Sequence, residues 1–100
     1  MYARVVTVQV QPGKMDEFWR RIREGVPAVQ AIRGFHEARF LTDAPTGTVL
    51  GVSVWETEAD AKAAPVAGAE GGRLRDLLTA PAVVAYYELS MRFARDTCSF

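Results

Sequence analysis

The sequence predicts an α+β fold in which helices cover one face of an antiparallel sheet. Four stretches have the two-residue period of strands, two have the helical period, and their order is strand, helix, strand, strand, helix, strand. The stretch at residues 48–56 is apolar in both of its alternating sets. We therefore expect this strand to be central and buried on both faces.

The first strand and first helix occupy the N-terminal third of the chain. Residues 2–10 alternate, and Pro12-Gly13 then ends the strand. Over residues 14–32 apolar side chains recur at steps of three and four, which predicts an amphipathic helix. Pro27 has no amide hydrogen, so we expect the helix to kink or restart near Gly25.

The second and third strands are separated by a short turn. Residues 35–41 have strand composition, with Thr42 at the edge, and residues 48–56 form the strongest strand of the sequence. The intervening residues 43–47 are rich in turn formers. The pattern predicts an antiparallel hairpin.

The C-terminal half is less regular. Thr57 is expected to be the N-cap of a second helix, which a proline and several glycines then interrupt. A short helix or turn is expected at residues 73–78, and residues 83–91 form the fourth predicted strand. We expect one domain over residues 1–92 and a C-terminal tail over residues 93–100.

This order is that of a ferredoxin-like βαββαβ sandwich, which leaves one sheet face bare. On that face we expect Val5, Val49, Trp55 and one of the adjacent Tyr86 and Tyr87. The other alternating set of the third strand is expected beneath the helices, where it would form the floor of a cleft: Leu50, Val52 and Val54. An apolar face of this size predicts a homodimer that pairs through its sheets.

Composition disfavours several classes of partner. Twelve basic and twelve acidic residues give a net charge of zero, and no basic block indicates binding to nucleic acid or a membrane surface. No apolar run approaches the roughly 20 residues of a membrane span. The single Cys98 and the absence of a signal-like start favour the cytoplasm. One histidine and one cysteine provide no metal ligand set.

Four stretches resemble the antibiotic biosynthesis monooxygenase family: Val10-Gln11-Pro12-Gly13-Lys14, Ile32-Arg33-Gly34-Phe35, residues 52–59 and residues 84–88. The resemblance implies a dimeric α+β barrel in which two sheets pack face to face. It also implies one of several activities: cofactor-free oxidation of aromatic polyketides, haem degradation or quinol oxidation. The family's haem degraders use an asparagine on the first strand and a histidine on the second helix. Here that strand position corresponds to Val6 and no histidine follows Glu56, so haem degradation is not expected.

The candidate catalytic residues are His36 and Tyr86. Histidine is the residue type that exchanges protons near neutral pH, and His36 is the only one in the chain. It could deprotonate a phenolic substrate, or it could be a structural residue at a strand edge or dimer seam. One of the two adjacent tyrosines must face the helices, where its hydroxyl could bind a substrate oxygen. Both could equally be structural.

We expect substrate contacts from Trp19, Val6, Val52, Phe40 and Arg73. Arg73 lies in the glycine-broken segment, where a lid over the cleft is expected. Trp55 is expected to be a dimer residue rather than a ligand-stacking one. The resulting hypothesis is a cofactor-independent, metal-free monooxygenase acting on a small aromatic or polyketide-like molecule. The alternative is a non-catalytic dimeric module that binds a hydrophobic metabolite.

Overall fold

A computed structural model describes residues 1–99. Its main sheet has four antiparallel strands: β1 (Tyr2–Gln9), β2 (Phe35–Asp43), β3 (Thr48–Trp55) and β4 (Val83–Glu88), in the order β2-β3-β1-β4. Helices α1 (Met15–Gln30) and α2 (Glu58–Ala63) cover one face, and a single 3₁₀ turn occupies Arg75–Leu77. The predicted α+β, ferredoxin-like βαββαβ architecture is confirmed, with the third strand central as expected.

Helix α1 runs without interruption through Pro27, so the predicted restart near Gly25 does not occur. A proline removes one backbone hydrogen bond but does not end a helix whose apolar face still packs on both sides of it. Ile22 packs against the core before Pro27, and Val29 faces the sheet-side cavity after it.

The connections follow the local sequence closely. In the turn between β2 and β3, Gly47 has a positive φ of 74°, and its amide donates to the Asp43 carbonyl oxygen at 3.0 Å. The Thr57 hydroxyl accepts a hydrogen bond from the Asp60 amide at 3.1 Å, which confirms the N-cap of α2. The hairpin prediction is therefore confirmed together with its turn.

The predicted assignment of the two faces of β3 was wrong. Val49, Ser53 and Trp55 lie beneath the helices and are buried, while Leu50, Val52 and Val54 alternate onto the open face, where Val54 is also buried. Both sets are rich in apolar residues, so alternation separates them without indicating which set the helices cover. The packing of the helices on the sheet determines which set is covered. Trp55 is consequently a core residue and does not lie on the face proposed for dimerisation.

Two clusters of buried residues lie at opposite ends of the helix-covered face. One joins β1 and β3 to α1 and the segment around the 3₁₀ turn: Val8, Val10, Phe18, Val49, Leu74, Leu77 and Leu78. The other packs Trp55 against α2 through Ala61 and Ala64, with Phe35 and Tyr86 at its edge. The space between these clusters is only partly filled.

The C-terminal segment forms a small antiparallel hairpin of β5 (Arg92–Phe93) and β6 (Cys98–Ser99). Strand β4 ends at Glu88, three residues before the predicted end at residue 91. The domain boundary at residue 92 stays a prediction, and Phe100, the last residue of the predicted tail, lies outside the described residues. Within residues 1–99, no helix is long and apolar enough to cross a membrane.

Candidate functional site

A cavity of about 610 Å³ lies between the helix-covered face of the sheet and α1. Its floor comes from β1, β2 and β3, one wall from residues 18–30 of α1, and the rest from residues 65–68, Arg73 and Leu74. Most of the lining side chains are apolar or aromatic. A cavity of this volume and character is typical of a site for a small organic molecule.

Aromatic rings form one wall of the cavity. The Trp19 ring makes edge-to-face contacts with Phe18 and Phe40, at centroid distances of 5.1 and 5.5 Å. Gly51 lies beneath Phe40, and a Cβ atom there would be 3.1 Å from Phe40 Cε1. The missing side chain at residue 51 lets the Phe40 ring lie close to the floor, where a flat ligand would contact it.

His36 lies at the cavity rim in an irregular part of β2. The β2–β3 register shifts between Phe35 and Glu37, so His36 is an extra residue in the ladder and its ring lines the cavity. The Glu56 carboxylate lies 2.5 Å from His36 Nε2. A carboxylate accepts hydrogen bonds, so this contact fits the tautomer in which Nε2 bears the ring hydrogen.

Arg4 is a cavity residue that the sequence analysis missed. Its Nη1 donates to the Ala64 carbonyl oxygen at 2.7 Å, at the end of α2, and its guanidinium lies 5.4 Å from the centroid of the Trp55 ring. Burial lowers the pKa of Arg4, and Tyr86 partly offsets that effect. The only signal in the sequence was a charged residue in the otherwise apolar set of β1.

Trp55 is held by its own strand. Its indole Nε1 donates to Ser53 Oγ at 2.8 Å, and the side chain is fully buried. The ring of Phe35 packs on it edge to face at 5.3 Å. Trp55 therefore borders the cavity as a rigid part of the floor.

Arg73 spans the cavity mouth from the glycine-broken segment to α1. A methyl group on Gly25 would overlap the Arg73 guanidinium, so the two residues are in direct contact. The backbone nearby is attached to α1 by Arg21, whose Nη1 donates to the Arg73 carbonyl oxygen at 3.0 Å and to Asp76 Oδ1 at 2.8 Å. Arg73 is thus positioned by a fixed backbone while its side chain remains exposed.

The structure brings most of the predicted site residues together. Those that line the cavity are His36, Trp19, Val6, Phe40 and Arg73. Val52 lies on the opposite face of the sheet, so its predicted place in the cleft was wrong for the reason given for β3. Tyr86 does face the helices, but it packs beneath α2 against the Trp55 cluster and is not among the described residues that line the cavity.

The other tyrosine, Tyr87, is exposed on the open face. The Lys62 ammonium group lies 5.7 Å from the centroid of the Tyr86 ring, which favours a packing role for Tyr86. Within the part of the chain that the structure describes, no three His, Cys, Asp or Glu side chains are grouped as metal ligands.

Comparison with solved structures places the fold among known proteins. A protein of unknown function from Nitrosomonas europaea is 20% identical, with a TM-score of 0.76 over 96% of this chain and 95% of that one. A heme-degrader from Mycobacterium tuberculosis, solved with two hemes in its active site, is 20% identical, with a TM-score of 0.73 over 94% and 100% of the two chains. A monooxygenase from Streptomyces coelicolor in complex with nanaomycin D is 17% identical, with a TM-score of 0.72 over 95% and 92%. At these identities the likeness shows the fold alone.

Sequence comparison identifies the family directly. The sequence model of the family described as antibiotic biosynthesis monooxygenase matches residues 1–64, which include β1, α1, β2, β3 and α2. Curated protein sequences gave no significant match. The matched part contains most of the cavity lining and well over half of the chain, and we conclude that the chain belongs to the antibiotic biosynthesis monooxygenase family.

Proposed function

We propose that this protein is a cofactor-independent monooxygenase that oxidises a small aromatic or polyketide-like substrate in the cavity between the sheet and α1. The observation that carries the proposal is an aromatic-walled cavity with a histidine–carboxylate pair at its rim. Membership of the family supports oxygenase chemistry. The aromatic wall supports a flat, largely apolar substrate.

The reaction needs only an electron-rich substrate and dioxygen. His36 Nδ1 takes a proton from an anthrone-type ring methylene, and the resulting carbanion passes one electron to O₂. The carbon radical and superoxide combine into a peroxide anion, which takes the proton back from His36. Loss of water from this hydroperoxide leaves a carbonyl, so that CH₂ and O₂ become C=O and H₂O.

The Glu56 carboxylate orients His36 for this role. It fixes the imidazole through Nε2 and stabilises the imidazolium formed when Nδ1 takes the proton. Both side chains remain partly exposed, so protons can exchange with solvent when the cavity is empty. Glu56 is thus a positioning residue and His36 the base.

Oxygen consumption by metal-free protein with anthrone-type and quinol substrates tests the proposal. His36→Ala should lower kcat by ~10²-fold or more, the usual contribution of a general base. Glu56→Gln, which keeps a hydrogen-bond acceptor but removes the charge, should lower kcat less and shift the pH profile. Arg33→Gln, at an exposed position outside the cavity, is the matched control. Unchanged turnover in His36→Ala, or none in the wild type over a broad panel, would refute the proposal.

A second candidate function is binding of a hydrophobic metabolite without chemistry. It is favoured by the scarcity of polar groups on the cavity wall formed by Phe18, Trp19 and Phe40. It predicts that an aromatic ligand raises the Tm and is recovered unchanged under oxygen. Haem is a separate outcome of the same test: spectral binding followed by ring opening would favour the heme-degrader chemistry over both candidates.

We further propose a homodimer formed through the open sheet face. Leu41, Val83 and Tyr87 are 58%, 69% and 58% exposed on that face. Apolar side chains grouped on one face of a sheet favour association with a second copy. Light scattering should give twice the 11.0 kDa mass of the chain, and a monomer mass at micromolar concentration would contradict the proposal. A cytoplasmic location stays a prediction that rests on the single cysteine.

A further inference from the structure

The charges around the cavity are unevenly paired. Its ionisable lining residues are Arg4, Arg23, His36, Glu37 and Arg73. The Glu37 carboxylate has Arg39 Nε at 3.7 Å and Arg92 Nη1 at 3.9 Å, and His36 is paired with Glu56. Within the described residues, the three lining arginines have no carboxylate at ion-pair distance. The cavity therefore carries an excess of positive charge.

Arg4 contributes a fixed positive charge at the floor. Its Nη atoms are committed to backbone carbonyl oxygens, Nη1 to Ala64 at 2.7 Å and Nη2 to Pro65 at 3.3 Å. Its Nε atom is buried and has no acceptor within the part of the chain described. A half-buried cation of this kind favours an anionic neighbour, because its charge is less fully screened by water than on an open surface.

Arg73 contributes a guanidinium that is free to bind at the mouth. Its backbone is fixed by the hydrogen bond from Arg21, and its side chain rests against Gly25 of α1. Within residues 1–99, that guanidinium has neither an acidic partner nor a hydrogen-bond acceptor. A planar guanidinium in this state can accept a carboxylate through two parallel N–H···O bonds.

The positive mouth and the apolar wall belong to one cavity. Trp19 and Phe40 line it with aromatic rings that can pack on an aromatic body, and Arg73 offers paired donors to an acid group. We propose that the natural ligand is an aromatic carboxylate whose acid group pairs with Arg73 while its rings pack on Trp19 and Phe40. A phosphate is less suited, because no glycine-rich amide cradle faces the cavity within the described residues.

This inference concerns binding of the ligand. It rests on the proposed function only for the oxidation that would follow binding. Calorimetry with two unreactive quinones of the same ring system, anthraquinone-2-carboxylate and anthraquinone-2-carboxamide, isolates the acid group. Wild-type protein should bind the carboxylate ~10-fold more tightly than the amide, as expected for one charge-assisted pair. In Arg73→Gln the two affinities should come within ~2-fold of each other, with most of the change in the carboxylate affinity.

Two further variants test the geometry. Arg33→Gln removes a positive charge outside the cavity and should keep the ~10-fold preference, since a long-range charge effect is screened by salt. Gly25→Ala displaces the guanidinium and should reduce the preference mainly by lowering the carboxylate affinity. Circular dichroism and Tm confirm that each variant is folded.

The outcomes separate this inference from the proposed oxygenase activity. Equal affinity of the wild type for both probes, binding of neither, or a preference that survives Arg73→Gln would overturn the carboxylate assignment. Because both probes are already oxidised, absence of oxygenase turnover leaves these binding results valid. Conversely, turnover of a neutral anthrone by a protein without carboxylate preference would support the activity and refute the acid site.

Discussion

The two faces of the sheet contain similar residues but differ sharply in what covers them. On the helix-covered face Val49, Ser53 and Trp55 are 1%, 9% and 0% exposed. On the open face Val83 and Tyr87 are more than half exposed, whereas Val54 is 8% exposed. On the covered face the Ser53 hydroxyl and the Arg4 guanidinium are hydrogen-bonded within the fold. The cavity thus lies on the face where polar groups are held within the fold, whereas the more exposed apolar face is the one proposed for association.

The largest expected effect is loss of the proposed dimer. Leu41→Lys combined with Tyr87→Lys places two charges on the open face, and desolvating them in an interface is costly. Light scattering should show the mass falling from two chains to one. Ala28→Lys on the exposed surface of α1 is the control and should leave the mass unchanged. A charged double variant that stays dimeric would show that the two copies associate elsewhere.

The next effect concerns the core under α1. Phe18→Ala removes a side chain that is 2% exposed and should lower the free energy of unfolding by about 3–5 kcal/mol. Tyr87→Ala is the matched change on the open face, and in dilute, monomeric protein it should alter that free energy by less than about 0.5 kcal/mol. Urea denaturation measures both. Similar losses for the two variants would mean that the open face is covered within the monomer.

A smaller effect is expected for the hydroxyl buried on the covered face. Ser53→Ala leaves the indole N–H of the fully buried Trp55 without its acceptor, which costs about 1–3 kcal/mol. In a Trp55→Phe background there is no indole N–H that needs an acceptor. Ser53→Ala should therefore lower the free energy of unfolding by less in that background. An equal loss of unfolding free energy in both backgrounds would show that the hydrogen bond is not the cause.

The smallest effect is the acid sensitivity of the clamp that attaches the Arg73 segment to α1. Hydrogen bonds from Arg21 lower the pKa of Asp76, and those from Arg20 and then Arg21 lower the pKa of Glu17 to about 2. Since both pKa values are depressed in the folded state, the stabilisation is present above the unfolded values of about 4 and is lost as the pH falls towards 2.

Hydrogen exchange in residues 66–78 should therefore speed up between pH 4 and pH 2, after correction for the intrinsic exchange rate. Arg21→Gln should flatten this dependence, while Arg33→Gln should retain it. A wild-type profile in Arg21→Gln would show that the clamp does not respond to acid. High salt should weaken the effect because these side chains are partly exposed.

The sequence by itself determined the elements and their order. Local rules were enough for the Gly47 turn, the Thr57 cap and the alternation of β3, because each depends on neighbours a few residues away. They also sufficed to select His36, Trp19, Phe40 and Arg73 as cavity residues. Chemical type singled these residues out, but packing decided which strand face lines the cavity, as the absence of Val52 from the lining shows.

Only the tertiary structure decided which face the helices cover. Alternation divides β3 into two sets of side chains but does not indicate which set the helices cover. The sequence therefore assigned Val52 to the cavity and Trp55 to the bare face, and the structure shows the opposite arrangement. The same is true of Arg4, whose role depends on carbonyl groups some 60 residues away at the end of α2. Contacts between distant segments arise from packing, and no local pattern encodes them.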